Sequence, residues 1–175
     1  MHGMHAQTPS RPLIMAAAVI AGAGTATILG AYFFQYVLGY PPCPLCLDQR
    51  IPYYVAIPLA VLIAVAVSTH VPRRLVTVGL AIIALAMLFN TGLAVFHAGV
   101  EWKWWPGPLE CSGPLGDLGA GGDLLSSLRH IIVVRCDEAA WRFLGLSLAG
   151  YNALISLGLA AVAGWGTAAS LRQTR

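Results

Sequence analysis

The sequence predicts an all-α membrane protein: a four-transmembrane-helix bundle with a short amphipathic helix at the membrane surface. Hydrophobic residues make up 58% of the 175 residues and charged residues only 10%, against about 45–50% and about 25% in soluble domains. Four long apolar segments account for the excess, and a membrane-spanning helix needs about 20 mainly apolar residues. All four cysteines fall in the segments that connect these spans, on one side of the predicted membrane.

The four predicted spans form a single integral membrane domain over residues 1–175. They cover about 13–38, 47–67, 75–96 and 143–171, with outer loops at about 39–46 and 98–142. We expect the first span to be an uncleaved anchor, because its apolar run to Phe34 is too long for a removed signal peptide. Pro58 lies inside the second span, where a lost backbone hydrogen bond favours a kink. Four spans put both termini on one side of the membrane.

Charged residues orient the bundle. Each side carries five basic residues, but on the side of the termini they stand in short segments against the helix ends. The positive-inside rule makes that side cytoplasmic. The opposite side holds all seven acidic residues: Asp48, Glu101, Glu110, Asp117, Asp123, Asp137 and Glu138. We therefore expect cytoplasmic N- and C-termini and cysteines on the outer side.

The second outer loop contains the predicted surface helix. Apolar residues recur at helical spacing between positions 124 and 132, behind Asp123 as an N-cap. This pattern is typical of a helix that lies on the membrane surface. The stretch WWPGPLECSGPLG (104–116) is rich in proline and glycine, so Cys111 is expected on an irregular segment.

The cysteines are the candidate reactive residues. Cys43 and Cys46 form a Cys-x-x-Cys pair in GYPPCPLCLDQRIPYY (39–54), and Cys111 and Cys136 lie in the second outer loop. Alone, the loop pair would be typical of a structural disulfide. A zinc site is a further alternative, but it lacks the usual second close pair, and we expect no metal. A disulfide within Cys-x-x-Cys closes a short ring that opens easily. Together with a second cysteine pair on the same side of the membrane, it favours a relay that passes electrons between two disulfides.

Such a relay needs an electron acceptor. The sequence contains no flavin or dinucleotide fingerprint, haem attachment motif or iron–sulfur cysteine set, which leaves a lipid-soluble quinone. Arg50 follows Cys46 by four residues and would share its helical face. A permanent cation there would lower the pKa of a thiol and stabilise the negative oxygen of a quinone under reduction. The alternative is an arginine that anchors the helix at the interface.

In this arrangement the chain resembles the disulfide bond formation protein B (DsbB) family of bacterial inner-membrane thiol:quinone oxidoreductases. The resemblance rests on Cys-x-x-Cys with arginine four residues later, then a separated cysteine pair, within four helices, and it covers about residues 13–171. It implies cysteines on the periplasmic side of the bacterial inner membrane. It also implies a quinone cofactor, ubiquinone or menaquinone, and a periplasmic DsbA-like thioredoxin-fold oxidase as partner. We expect no nucleic-acid partner.

The resemblance implies a role for each cysteine. The reduced partner would attack the Cys111–Cys136 disulfide at Cys111. Cys136 would then attack the Cys43–Cys46 disulfide at Cys43, which leaves Cys46 as the thiolate that engages quinone.

Four polar residues other than the cysteines are also given an expected role. Arg50 matches the family's quinone-site arginine in identity and spacing. His97 resembles a family histidine near the quinone, although a lone histidine there is also typical of a membrane interface. Asn90 and Asn152 are interpreted as helix–helix contacts rather than ligands.

Two other functions fit parts of the sequence. A vitamin K epoxide reductase-like enzyme also joins four helices, loop cysteines and a quinone, but in that family the loop pair precedes the Cys-x-x-Cys. A copper-handling membrane protein would use the N-terminal MHGMH (1–5), because Met, His and Cys suit copper. The predicted topology places MHGMH across the membrane from the thiols.

Overall fold

The computed structural model describes residues 11–69, 71–108 and 135–172. Five α-helices lie in these ranges: α1 (Arg11–Tyr32), which a π-helical turn continues (Phe33–Val37), α2 (Pro44–Asp48), α3 (Ile51–Ser68), α4 (Arg73–Glu101) and α5 (Leu148–Arg172). A small antiparallel hairpin of β1 (Arg142–Phe143) and β2 (Leu146–Ser147) precedes α5. Within the described residues, four segments are long and apolar enough to cross a membrane: Arg11–Val37, Pro44–Ser68, Arg73–Glu101 and Leu148–Arg172. The predicted all-α four-helix architecture is confirmed.

Two helix boundaries differ most from the predicted ranges. The third spanning helix continues past position 96 to Glu101. The fourth begins at Leu148 instead of 143, because Leu144 and Gly145 take positive φ angles of 48° and 83° in the hairpin turn. Two successive residues with positive φ are the signature of a tight turn between antiparallel strands. The predicted surface helix and the MHGMH segment lie outside the described residues.

Small residues let the spanning helices approach closely. A Cβ atom added to Gly166 on α5 would lie 3.1 Å from the Cβ of Ala16 on α1, and one added to Gly79 on α4 would lie 3.0 Å from Ile63 on α3. In lipid, apolar burial drives helices together only weakly. Close packing of small residues stabilises the helix contacts instead. Buried alanines share these crossings: Ala16, Ala17, Ala56, Ala60, Ala160 and Ala163.

Polar pairs and an apolar exterior complete the bundle. Between α4 and α5, Thr77 and Ser170 share a hydrogen bond of 2.6 Å, and Thr91 donates to Ser156 at 3.1 Å. The large side chains on the outer surface are apolar, among them Leu29, Leu62, Leu85 and Phe89, each more than 60% exposed. Such a surface fits a hydrocarbon environment.

Candidate functional site

The Cys-x-x-Cys pair begins the one-turn helix α2. Cys43 is the N-cap, with extended backbone, and its Sγ accepts a hydrogen bond from the Cys46 backbone N–H at 3.3 Å. Pro44 occupies the first helical position, where its missing N–H costs nothing. The two Sγ atoms lie 2.7 Å apart as free thiols. The local sequence thus places both sulfurs at a helix N-terminus, where the helix dipole favours negative charge.

A histidine from the third spanning helix reaches this pair. His97 is buried, and its Nε2 lies 3.6 Å from the Sγ of Cys43. Its Nδ1 lies 2.8 Å from the side-chain nitrogen of Gln49. The same imidazole has Glu101 one turn away, with 3.8 Å between Nε2 and Oε1. His97 therefore belongs to the thiol site and does not lie at an exposed interface.

A chain of amide hydrogen bonds continues from Gln49 across the bundle. Asn152 on α5 donates to the side-chain oxygen of Gln49 at 2.7 Å. The phenol of Tyr53 on α3 donates to the side-chain oxygen of Asn152, also at 2.7 Å. Asn152 does join two helices as predicted from the sequence, but it does so inside the site. Asn90 is buried on α4.

Arg50 is held rigidly beside the pair. It is only 9% exposed, and its guanidinium donates to the side-chain oxygen of Gln35 at 2.7 Å. The same guanidinium lies 5.3 Å from the ring centroid of Tyr32, within cation–π range. The hydroxyl of Tyr32 is in turn 2.8 Å from that of Tyr54. One amide contact from the π-helical turn and one aromatic contact from α1 thus fix where the cation points.

Cys46, Arg50 and His97 line a common cavity of about 560 Å³. Of the two thiols, Cys46 reaches this space and Cys43 lies behind it. The cavity lies between α1, α3 and α5, and its walls are mostly apolar, with Ile28, Phe34, Trp141, Phe143, Leu148 and Ile155 among them. Ligand sites are typically clefts of about 300–1,000 Å³ with apolar walls and a few polar groups.

Burial and hydrogen bonding keep a proton on the inner thiol. The hydrogen bond to Cys46 and the burial of the side chain raise the pKa of Cys43 well above its usual range. The inner thiol therefore gives up its proton less readily than an exposed cysteine does.

Cys136 lies on the other side of Cys43. The two cysteines pack in one small buried cluster with Leu45, and the backbone of Cys136 also lies beside the His97 ring. Cys136 is disulfide-bonded. Cys111, its predicted partner, lies outside the described residues. The structure thus brings a cysteine of the second outer loop next to the Cys-x-x-Cys pair.

Ion pairs fix the segment that carries Cys136. Asp137 accepts hydrogen bonds from Arg135 and from Lys103, which follows α4. These two cations lower the pKa of Asp137 to about 2. The carboxylate is charged at any physiological pH, so the segment is tied to the end of α4.

The thiols and the histidine also meet the spacing of metal ligands. The ligand atoms of Cys43, Cys46 and His97 all lie within 4.8 Å of one another. Two sulfurs and one imidazole nitrogen are a donor set that zinc accepts. Hydrogen bonds between the thiols and the imidazole ring need the same short distances. The distances alone therefore do not distinguish a metal site from a hydrogen-bonded thiol site.

Sequence reasoning missed several residues of the site. Gln35, Gln49 and Tyr53 carry no motif, and their partners come from distant parts of the chain. Glu101 is buried, with one carboxylate oxygen that finds no hydrogen-bond partner among the described residues. The sequence did offer one signal for them: polar residues near the ends of apolar helices, which are costly in a membrane and usually have a function.

Four spanning helices that hold a thiol pair against an apolar cavity are suited to thiol–disulfide chemistry in a membrane. Comparison with known proteins agrees, because the family model described as Disulfide bond formation protein DsbB matches residues 13–166. The chain belongs to the DsbB family. It is accordingly a multi-pass membrane protein of disulfide bond formation.

Individual relatives show the same likeness. The chain is 30% identical over 141 residues to the Disulfide bond formation protein B of Saccharophagus degradans, covering 79% of this chain and 82% of that protein. Against the protein of the same name from Aromatoleum aromaticum it is 33% identical over 133 residues, with 74% and 76% covered. An uncharacterized protein of Rickettsia prowazekii is 28% identical over 138 residues, with 73% and 72% covered. No solved structure matches the chain.

Proposed function

We propose that the protein reoxidises a periplasmic DsbA-like thioredoxin-fold oxidase and passes the electrons through two cysteine pairs to membrane quinone. One arrangement carries this proposal: Cys43 packs against Cys136 on one side and contacts Cys46 on the other. Cys46 in turn lines the apolar cavity with Arg50. The sulfurs thus form a path from the second outer loop to a cavity within the helix bundle.

The proposed order of exchange follows this path. The partner's thiolate attacks Cys111, and Cys136 leaves with the electron pair of the broken S–S bond. Cys136 then attacks Cys43, a bond forms between those two sulfurs, and Cys46 leaves as a thiolate. The partner's second thiolate displaces Cys111 from the mixed disulfide, and Cys111 then attacks Cys136 and releases Cys43. The outer disulfide is thereby restored and the Cys43–Cys46 pair is left reduced. The contact between Cys136 and Cys43 supports the second step. The role of Cys111 remains the one implied by family resemblance.

Arg50 and the apolar walls suit a quinone, either ubiquinone or menaquinone. A bound quinone would accept two electrons and two protons, and the Cys43–Cys46 dithiol releases the same number when its disulfide forms. The permanent charge of Arg50, held by Gln35 at the wall of the cavity, would stabilise negative charge that develops on a quinone oxygen bound there. His97, Cys46, Gln49 and Asn152 also belong to the polar part of the lining.

The location proposed is the bacterial inner membrane, with cytoplasmic termini and periplasmic cysteines. Cys43, Cys46 and Cys136 lie together at the end of the bundle where α4 finishes. The opposite end holds Arg11, where α1 begins, and Arg172, where α5 finishes. Cations near the cytoplasmic ends and thiols in an oxidising compartment support this orientation.

Replacing Arg50 tests the proposed quinone site. Arg50→Ala should slow quinone reduction on the order of a hundredfold, because it removes a charge that acts mainly as the acceptor becomes negative. Arg50→Lys should restore activity in part, since lysine keeps the charge without the planar fork that contacts Gln35. Thiol exchange with the partner oxidase should be retained in both variants. The measurement is steady-state quinone absorbance, with exchange followed separately.

Arg172→Ala supplies the matched control, because it removes a cation from the far end of the bundle. That variant should reduce quinone at the wild-type rate. Wild-type quinone kinetics in Arg50→Ala would contradict the proposed site and leave Arg50 as a membrane anchor.

A further inference from the structure

The orientation of the Gln49 amide is fixed by a group that can only accept. The side-chain nitrogen of Gln49 lies 3.1 Å from the carbonyl oxygen of Leu45. A carbonyl has no proton, so the atom that faces it must be the NH₂ group. At the other end the side-chain oxygen of Gln49 accepts from Asn152, which is held by the Tyr53 hydroxyl. Both amides are thus satisfied in one orientation.

This orientation determines where the proton of His97 lies. The same NH₂ group of Gln49 lies 2.8 Å from Nδ1 of His97, so Nδ1 must be the acceptor. A neutral imidazole with an accepting Nδ1 carries its proton on Nε2. That nitrogen faces the Sγ of Cys43 at 3.6 Å and the Glu101 carboxylate at 3.8 Å, and the backbone of Cys136 also hydrogen-bonds to the ring.

We propose that Gln49 and Asn152 are positioning residues, which hold His97 in the tautomer whose Nε2–H donates to the sulfur of Cys43. The sulfur then has two donors, this N–H and the backbone N–H of Cys46. Cys43 is buried, and a negative sulfur there needs hydrogen bonds in place of water. The donors stabilise that charge when the proton of Cys43 leaves.

The inference deepens the proposed function and rests on it for its catalytic meaning. In closing the Cys43–Cys46 disulfide, Cys43 must lose its proton, and His97 with a proton on Nε2 stabilises the anion instead of acting as its base. A metal at Nε2 would first have to displace that proton.

Nitrogen NMR of the full-length protein, labelled with ¹⁵N-histidine, tests the tautomer directly. The His97 signals are assigned by their loss in His97→Asn. We expect Nδ1 at the shift of an unprotonated ring nitrogen and Nε2 at that of a protonated one. Gln49→Glu should move the proton to Nδ1, because a carboxylate only accepts. Thr77→Val, which breaks an α4–α5 hydrogen bond at the far end of the bundle, should leave the pattern unchanged.

The effect on Cys43 is measured in a protein that keeps this cysteine alone, with the other three replaced by serine. Gln49→Glu, which moves the ring proton to Nδ1, should lower the rate of Cys43 alkylation at neutral pH about tenfold, the effect of losing a hydrogen bond to a charged group. Thr77→Val should again have no effect. A protonated Nδ1 in the wild type, or equal alkylation rates with and without Gln49, would overturn the proposal. Neither readout involves quinone or the partner, so failure of the proposed function would be seen separately.

Discussion

Two neighbouring cysteines have different surroundings and therefore different reactivity. Cys43 is 3% exposed, and burial with the hydrogen bond to Cys46 raises its thiol pKa. Cys46 opens to the cavity and lies four residues before the Arg50 guanidinium. Since the thiolate is the nucleophile, the residue that gives up its proton more readily reacts first.

Alkylation of the reduced pair should therefore be ordered. In a protein with Cys111 and Cys136 replaced by serine, a small apolar maleimide should modify Cys46 at least about tenfold faster than Cys43. Mass spectrometry of peptides after timed quenching measures both rates. Unfolding the same protein should bring the rates together, since the environments then become alike. Faster modification of Cys43 in the folded protein would contradict this assignment.

Residue spacing predicts part of this site and not the rest. Cys46 and Arg50 stand four apart and both line the cavity. However, α2 ends at Asp48 and Arg50 only caps α3, so they do not share one continuous helix as the spacing suggested. Gln49 and Asn152 meet across the bundle although they are 103 residues apart in sequence. Contacts of this kind depend on how helices cross, which a single sequence does not specify. His97 could be suggested by resemblance alone, and only the fold shows that it is buried against Cys43.

At the scale of elements, the end of α4 is formed by a folded-back tryptophan. Trp105 donates a hydrogen bond from its indole nitrogen to the backbone carbonyl of Phe96 at 2.8 Å, and its ring stacks on the Phe96 ring. Its ring covers Gly99 so closely that an added Cβ would lie 2.0 Å from it. Lys103, with a φ of 61°, reverses the chain to allow this contact. A hydropathy pattern does not reveal a contact of this kind. The predicted end of the helix, at position 96, is therefore too early.

Gly99→Ala should therefore destabilise the protein by about 1–3 kcal/mol, the usual cost of overpacking. The added methyl must displace the Trp105 ring and its hydrogen bond to Phe96. Gly92 on the same helix is the matched control, because nothing lies within 4 Å of a Cβ added there. Thermal unfolding in detergent should show a lower Tm for Gly99→Ala and no loss for Gly92→Ala. Equal Tm values for both variants would mean that Trp105 does not pack as described.

At the scale of the whole molecule, composition predicts the architecture and tertiary packing creates the site. Apolar segments of sufficient length were enough to predict four spanning helices, because the bilayer leaves few other structures possible. The cavity has walls from α1, α3 and α5, and α4 adds His97 beside Cys46. No single segment encodes such a space. The sequence could name Cys46 and Arg50, but not the enclosure that joins them.

The central claim is that electrons from the Cys43–Cys46 dithiol reach quinone in this cavity. The most direct measurement uses the full chain in nanodiscs, without oxygen, with this pair reduced and quinone added in known amount. Quinone absorbance reports reduction, and thiol titration reports the disulfide. We expect one hydroquinone and one Cys43–Cys46 disulfide per chain, continuous turnover when a reduced thioredoxin-fold oxidase is supplied, and no reduction by Cys46→Ser. Quinone that stays oxidised beside a persistent wild-type dithiol would contradict the account.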